Sequence, residues 1–269
     1  MNSVPAAPSH ASTDVLTRAI AGFITLILVD AAQLLILYPG RTNTLWAWDL
    51  KPELTAMALG SVYAGGAYFF GRVLFGAPWR AVAAGFPSVI VFVWMAAVAT
   101  LFHLDRFHKD SLPFVAWGAL YIVTPLLVPW LVARNHRIWG GPEGPGLPRG
   151  LRPVLAIVGG VLLLAGLVFL FFPDVAIDSW PWTLTPLTAR VVGAILGMYG
   201  TVWVAVAAHG IRTGARIPLE SHVIGLAFFL LAVVRASDEI DWGNPLAVVI
   251  AAVAAGMLVT SAMLSRRAA

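Results

Sequence analysis

Cysteine is absent from the chain, which excludes disulfides, thiolate metal sites and cysteine nucleophiles. Charge is nearly as scarce, at 11% of residues against roughly 25% in ordinary soluble domains. Lysine occurs only as Lys51 and Lys109, both between apolar segments, so a retinal Schiff base within a span is ruled out. Enzyme signatures are missing too. The sequence has no Walker-type phosphate loop, no Gly-x-Ser-x-Gly elbow, no His-Glu-x-x-His and no Asp-Asp-x-x-Asp box. No catalytic residue, metal ligand or cofactor is assigned on this basis, and an enzyme is the less favoured class.

Apolar residues fill the space these absences leave. They make up 59% of 269 residues, and the mean hydropathy is +0.85. A soluble domain cannot hide so much apolar surface, so lipid is the expected solvent. The formal charge is +4 and the pI about 9.8. The basic residues lie between hydrophobic runs, so they speak for membrane topology and against nucleic acid as a partner.

Eight apolar segments follow one another: Leu16–Tyr38, Pro52–Leu74, Ala83–Phe102, Leu112–Ala133, Pro153–Phe172, Pro186–Ala208, Leu219–Val234 and Pro245–Leu264. Most are close to the ~20 residues a helix needs to cross ~30 Å of hydrocarbon. The expected fold is an all-α integral membrane protein of eight transmembrane helices. Residues 1–15 read as a disordered tail, 16–135 as a first four-helix unit, 136–151 as a Gly/Pro-rich linker and 152–269 as a second unit. With the N-terminus inside, inner segments hold Arg18, Arg72, Arg80, Arg134, Arg137, Arg149, Arg152, Arg212, Arg216, Arg266 and Arg267. Outer ones hold only Arg41, Lys51, Arg106 and Lys109. That bias predicts a cytoplasmic-membrane protein with both termini in the cytoplasm.

The chain is also written twice. A shift of 134 superposes Arg18 on Arg152, Pro39 on Pro173, Trp46 on Trp180, Trp48 on Trp182 and Pro52 on Pro186. After a one-residue deletion, a shift of 133 superposes Thr55 on Thr188, Gly60 on Gly193, Ser88 on Ser221 and Asp105 on Asp238. Four spans per unit make the repeats parallel, a 4+4 arrangement about an axis along the membrane normal. Small residues recur every fourth position as Ala56-Gly60-Ala64 and Ala189-Gly193-Gly197. They predict close helix packing, or contact between the second and sixth spans on the axis.

Candidate ligand-binding residues come from the polar exceptions. Trp46, Trp48, Trp180 and Trp182 read either as interfacial anchors or as an outward aromatic vestibule for a small molecule or cation. Asp30 is the one acid deep in a span, roughly 13 Å of helix before Pro39 at 1.5 Å per residue. Gln33 shares its face. A charge at that depth costs several kcal/mol unless paired, hydrated or neutralised, so a pair with Arg190 or Arg235 is predicted. His103 and His108, and His209 and His222 with Glu220, show no metal-ligand spacing. Pro125 and Pro129 interrupt the fourth span. These features favour a carrier or binding protein for a small molecule or ion, with its site between the repeats. The alternatives are a non-catalytic membrane subunit held by helix–helix partners, and an intramembrane enzyme acting on a lipid.

Overall fold

The computed structural model describes residues 13–136 and 145–266. Residues 1–12 of the expected tail, 137–144 of the expected linker and the last three residues lie outside the described residues. Among the described residues the chain is all-helical, with one isolated bridge between Gly146 and Ile211 and no strand.

The long helices are α1 (Val15–Leu37), α2 (Glu53–Leu74), α3 (Phe86–Phe102), α4 (Leu112–His136), α5 (Leu151–Phe171), α6 (Pro186–His209), α7 (Arg212–Arg235) and α8 (Pro245–Arg266). Seven are long and apolar enough to cross a membrane, α3 together with the turn that begins at Trp79. The exception is α2. It carries Thr55, Ser61, Tyr63, Tyr68 and Arg72 and is buried along most of its length, so protein rather than lipid surrounds it. On the others, side chains such as Leu26, Ile122, Leu126 and Val234 are exposed. Such surface implies contact with a lipid bilayer.

Helix ends follow local chemistry. The Asp14 carboxylate accepts from the Thr17 backbone N–H at 3.1 Å and so starts α1. Thr185 and Thr188 form a reciprocal capping box at α6. In α7 the helix begins seven residues before the expected span start, at Arg212 instead of Leu219, and takes Pro218 into its interior. The added turns carry Arg216, which pairs with Glu220 four residues on at 2.8 Å.

The helices form two rows. One runs α1, α2, α7, α8, and the other α5, α6, α3, α4. Each row takes two helices from each half of the sequence, so the halves interlock. Their shared surfaces are closed by glycine. A Cβ on Gly65 would stand 2.8 Å from the Ser221 carbonyl oxygen of α7, and one on Gly197 would stand 2.7 Å from Met95 Sδ of α3. Gly60 faces Leu35 and Ile36 of α1, and Gly193 faces Gly166 and Phe169 of α5. The small-residue stripe thus serves helix packing, within a half at Gly60 and Gly193 and between the halves at Gly197, and the Cβ positions of Gly60 and Gly193 face different helices.

Several contacts occur twice. Arg18 Nε donates to the Leu74 carbonyl at 2.9 Å, and Arg152 Nε donates to the Ala207 carbonyl at 2.9 Å. Each arginine supplies a donor to the unpaired carbonyls at a helix C-terminus. His108 N bonds Ala47 O at 2.9 Å, and Asp241 N bonds Pro181 O at 2.7 Å. Gly76 and Gly210, both at positive φ, lie against the guanidinium groups of Arg18 and Arg152.

Candidate functional site

At the tryptophan-loop end of the first half, the loop folds inward. Trp46, Trp48, Trp117, Phe107 and Tyr121 form one aromatic cluster, with Trp48 and Trp117 at 4.6 Å and Trp117 and Tyr121 at 4.2 Å between ring centroids. Trp46, Trp48 and Trp182 are buried, and Trp182 Nε1 donates to Thr55 Oγ1 of the other half at 3.0 Å. Each ring removes a large apolar area from solvent, and edge-to-face contacts add to that gain. The loops therefore pack inward as a plug, where the sequence allowed either interfacial anchors or an open vestibule. Trp180 is half-buried against Phe169.

Beside this plug lies a groove of about 220 Å³ between α1 and α4. Asp30, Leu34, Trp46, Tyr63, Trp117 and Leu120 are on its walls. A deeper pocket of about 70 Å³ shares Leu28, Tyr63 and Leu120 with it and continues past Gly66, Phe70, Val89 and Thr124. The Tyr63 and Tyr121 hydroxyls bond each other at 2.9 Å in its lining. At the other end α1 and α4 are latched: Asn135 Nδ2 donates to Thr17 Oγ1 at 2.8 Å and Arg134 Nε to Asp14 Oδ2 at 3.0 Å. Two prolines, Pro125 and Pro129, lie within α4 between the latch and the groove. They remove two backbone donors there.

Asp30 is exposed in this groove, and no Lys or Arg among the described residues pairs with it. The predicted partners are engaged elsewhere. Arg190 contacts His103 Nε2 at 2.7 Å, donates to the Pro186 carbonyl at 3.2 Å and covers the Phe102 ring. Arg235 donates to the Ile36 carbonyl at 2.5 Å. The pairing fails because α6 lies beside α3 and α5, whereas Arg235 is drawn to an unpaired carbonyl at the end of α1. Gln33 is exposed and outside the groove lining. Of the eight residues singled out above, the groove brings together Asp30 and Trp46. Trp48 packs behind them, and Arg190, Arg235, Trp180 and Trp182 belong to contacts elsewhere.

Among the described residues no three His, Asp or Glu side chains converge to hold a metal ion. His103 is the acceptor for Arg190, and burial first, then the Arg190 charge, hold its imidazole below the ordinary value of 6.5, with Asp105 opposing. A histidine whose folded pKa is depressed contributes stability above its unfolded pKa and loses it as pH falls below that value. Lowering the pH from about 7.5 to about 5.5 is therefore expected to reduce the unfolding temperature more in the parent protein than in His103→Gln. Equal losses would show that the Arg190–His103 contact does not sense pH.

His222 and Glu220, singled out in the sequence, belong to two separate polar clusters whose other members were not. One is Tyr199, Trp203, His222 and Ser261. His222 Nδ1 accepts from Trp203 Nε1 and touches Ser261 Oγ, both at 3.2 Å, while the Tyr199 ring packs against the imidazole at a tilt of 49°, with 4.6 Å between centroids. Indole only donates, so a neutral imidazole here carries its proton on Nε2, which is buried without a partner. The other joins the halves: Glu220 accepts from Tyr68, from Arg72 Nη1 at 2.8 Å and from Arg216 Nε at 2.8 Å. The four-residue spacings Tyr68–Arg72 and Arg216–Glu220 were visible signals for this second cluster. No family model, curated protein or solved structure matches the chain.

Proposed function

We propose that this membrane protein binds, and carries, a small molecule dissolved in the bilayer, and that the molecule enters sideways between α1 and α4. The observation that carries this reading is the groove with its deeper pocket, which together join a carboxylate, an aromatic wall and an apolar recess. Concave, mostly apolar sites with a few polar groups are the usual form of small-molecule sites. The lining of the site comes from the first half except for Met198 of α6, which borders the deeper pocket. We read the chain as a parallel 4+4 duplication of eight spans, with the arginine-rich end cytoplasmic. The recurring arginine caps and loop bonds support the duplication. The arginine bias supports the orientation.

Photolabelling of the purified full-length protein in lipid nanodiscs tests the site. A neutral long-chain alcohol carrying a diazirine should label peptides from α1 and α4 saturably, and excess unlabelled decanol should suppress that label. Label spread over all lipid-facing helices, without competition, would overturn the reading.

A further inference from the structure

The lining of this recess is replaced in the second half, and the difference is written in four side chains. With the shift of 133, Gly66, Phe70, Val89 and Val128, all lining the deeper pocket, correspond to Tyr199, Trp203, His222 and Ser261. Tyr199, Trp203 and Ser261 each touch His222, and all four are buried. Phenol, indole and imidazole thus stand at the positions that glycine, phenylalanine and valine take in the first half. The acid differs in step: the counterpart of Asp30 by the shift of 134 is Leu164, an exposed side chain on α5. Gly66 and the carboxylate occur together in one half, and Tyr199 and Leu164 stand in their places in the other.

That coincidence says what the void is for. Asp30 lies seven residues from the end of α1, roughly 10 Å into the helix at 1.5 Å per residue. Its side chain is exposed to the groove and no cation of the described chain reaches it. Carboxylates at such depth are paired, hydrated or protonated. The same groove carries indole and phenol rings from Trp46, Trp117 and Tyr63 among its otherwise aliphatic walls, and aromatic rings attract cations through their faces. A carboxylate beside aromatic rings, opening into an apolar recess, matches a molecule with the reverse polarity: one positive nitrogen and an apolar body.

We propose that the ligand of the groove is a lipophilic amine, its ammonium on Asp30 and its apolar chain in the recess beside Gly66. This rests on the reading of the groove as the binding site. The first half keeps the site open with Gly66, and the second half has replaced the matching lining with Tyr199, Trp203 and His222. A bilayer acyl chain resting in the groove is the competing occupant, and it would show no preference for charge.

The test uses the full chain in nanodiscs of zwitterionic lipid, with a diazirine-bearing long-chain primary amine as the probe. Decylamine, decanol and decanoate serve as competitors. Label is expected on α1 and α4 peptides, with decylamine competing at least tenfold better than decanol and decanoate not competing. Asp30→Asn should reduce labelling by the amine at least tenfold and erase the difference between decylamine and decanol. Gly66→Tyr, which copies the second half, should reduce labelling by amine and alcohol alike. A Cβ there meets only the flexible end of Leu28, at 3.1 Å. Leu120→Trp, at a half-buried position on the walls of both spaces, narrows the groove from the other side and serves if Gly66→Tyr does not fold. Equal competition by decylamine and decanol, with Asp30→Asn inert, would overturn the amine and leave the groove standing as a site for neutral molecules. Label that no competitor removes would overturn both.

Discussion

Gly166→Leu is expected to cost the protein about 3 kcal/mol or more, enough to remove most of the folded material. A Cβ on Gly166 would sit 2.5 Å from the Gly193 carbonyl oxygen and 2.7 Å from the Gly197 backbone nitrogen. Neither atom is the free end of a side chain, so α5 and α6 must separate. The contact is reciprocal, because a Cβ on Gly193 would stand 2.7 Å from the Gly166 carbonyl. Seven residues away on each helix, Gly159 and Gly200 meet in the same fashion. In lipid, where apolar transfer does not drive helices together, this close backbone approach supplies the dispersion contacts that hold the pair. Gly160 gives an internal control on the same helix. A Cβ there meets no atom within 4 Å, so Gly160→Leu should change stability by less than about 0.5 kcal/mol. Monodispersity in detergent and denaturant titration of the three proteins would decide it. A stable Gly166→Leu protein, or a Gly160→Leu protein just as damaged, would refute this packing account.

The same physics explains which parts of the molecule could be read from the sequence. Apolar runs of helical length mark seven membrane-crossing helices because lipid demands them. The second helix departs from that rule, since a helix wrapped by others is free to carry Ser61, Tyr63 and Arg72. Depth along a helix was also legible, so Asp30 stood out. Its neighbours were not. Which helix lies opposite depends on how the two rows interlock, and the interlock carries Arg190 to His103 of α3. Tryptophan at a loop is compatible with an open vestibule or a closed plug, and only the packing of Trp48 on Trp117 decides between them. The replacement of the recess lining in the second half was hidden for a further reason. Gly66 facing Tyr199 in an alignment reads as divergence until the volume of each side chain is placed in its half.

Glu220→Ala carries the second large expected effect, and its partners predict how that effect divides. The carboxylate holds Tyr68 and Arg72 of α2 as well as Arg216 of its own helix, so its removal leaves two guanidinium groups facing each other across the halves. Breaking a fully buried pair costs about 3–5 kcal/mol. The Glu220 and Arg72 side chains keep 22% and 36% of their exposure, so screening brings the expected loss to about 2 kcal/mol. Arg216→Gln should cost only about 0.5 kcal/mol, the worth of a four-residue helical pair. Arg72→Met should fall between the two, because it leaves Tyr68 and Arg216 on the carboxylate. Combining Arg72→Met with Glu220→Leu should recover part of the loss, since an apolar pair of similar volume needs no charge compensation. If Glu220→Ala costs no more than Arg216→Gln, this carboxylate contributes nothing across the halves, and glycine packing with the remaining hydrogen bonds holds the interlocked rows.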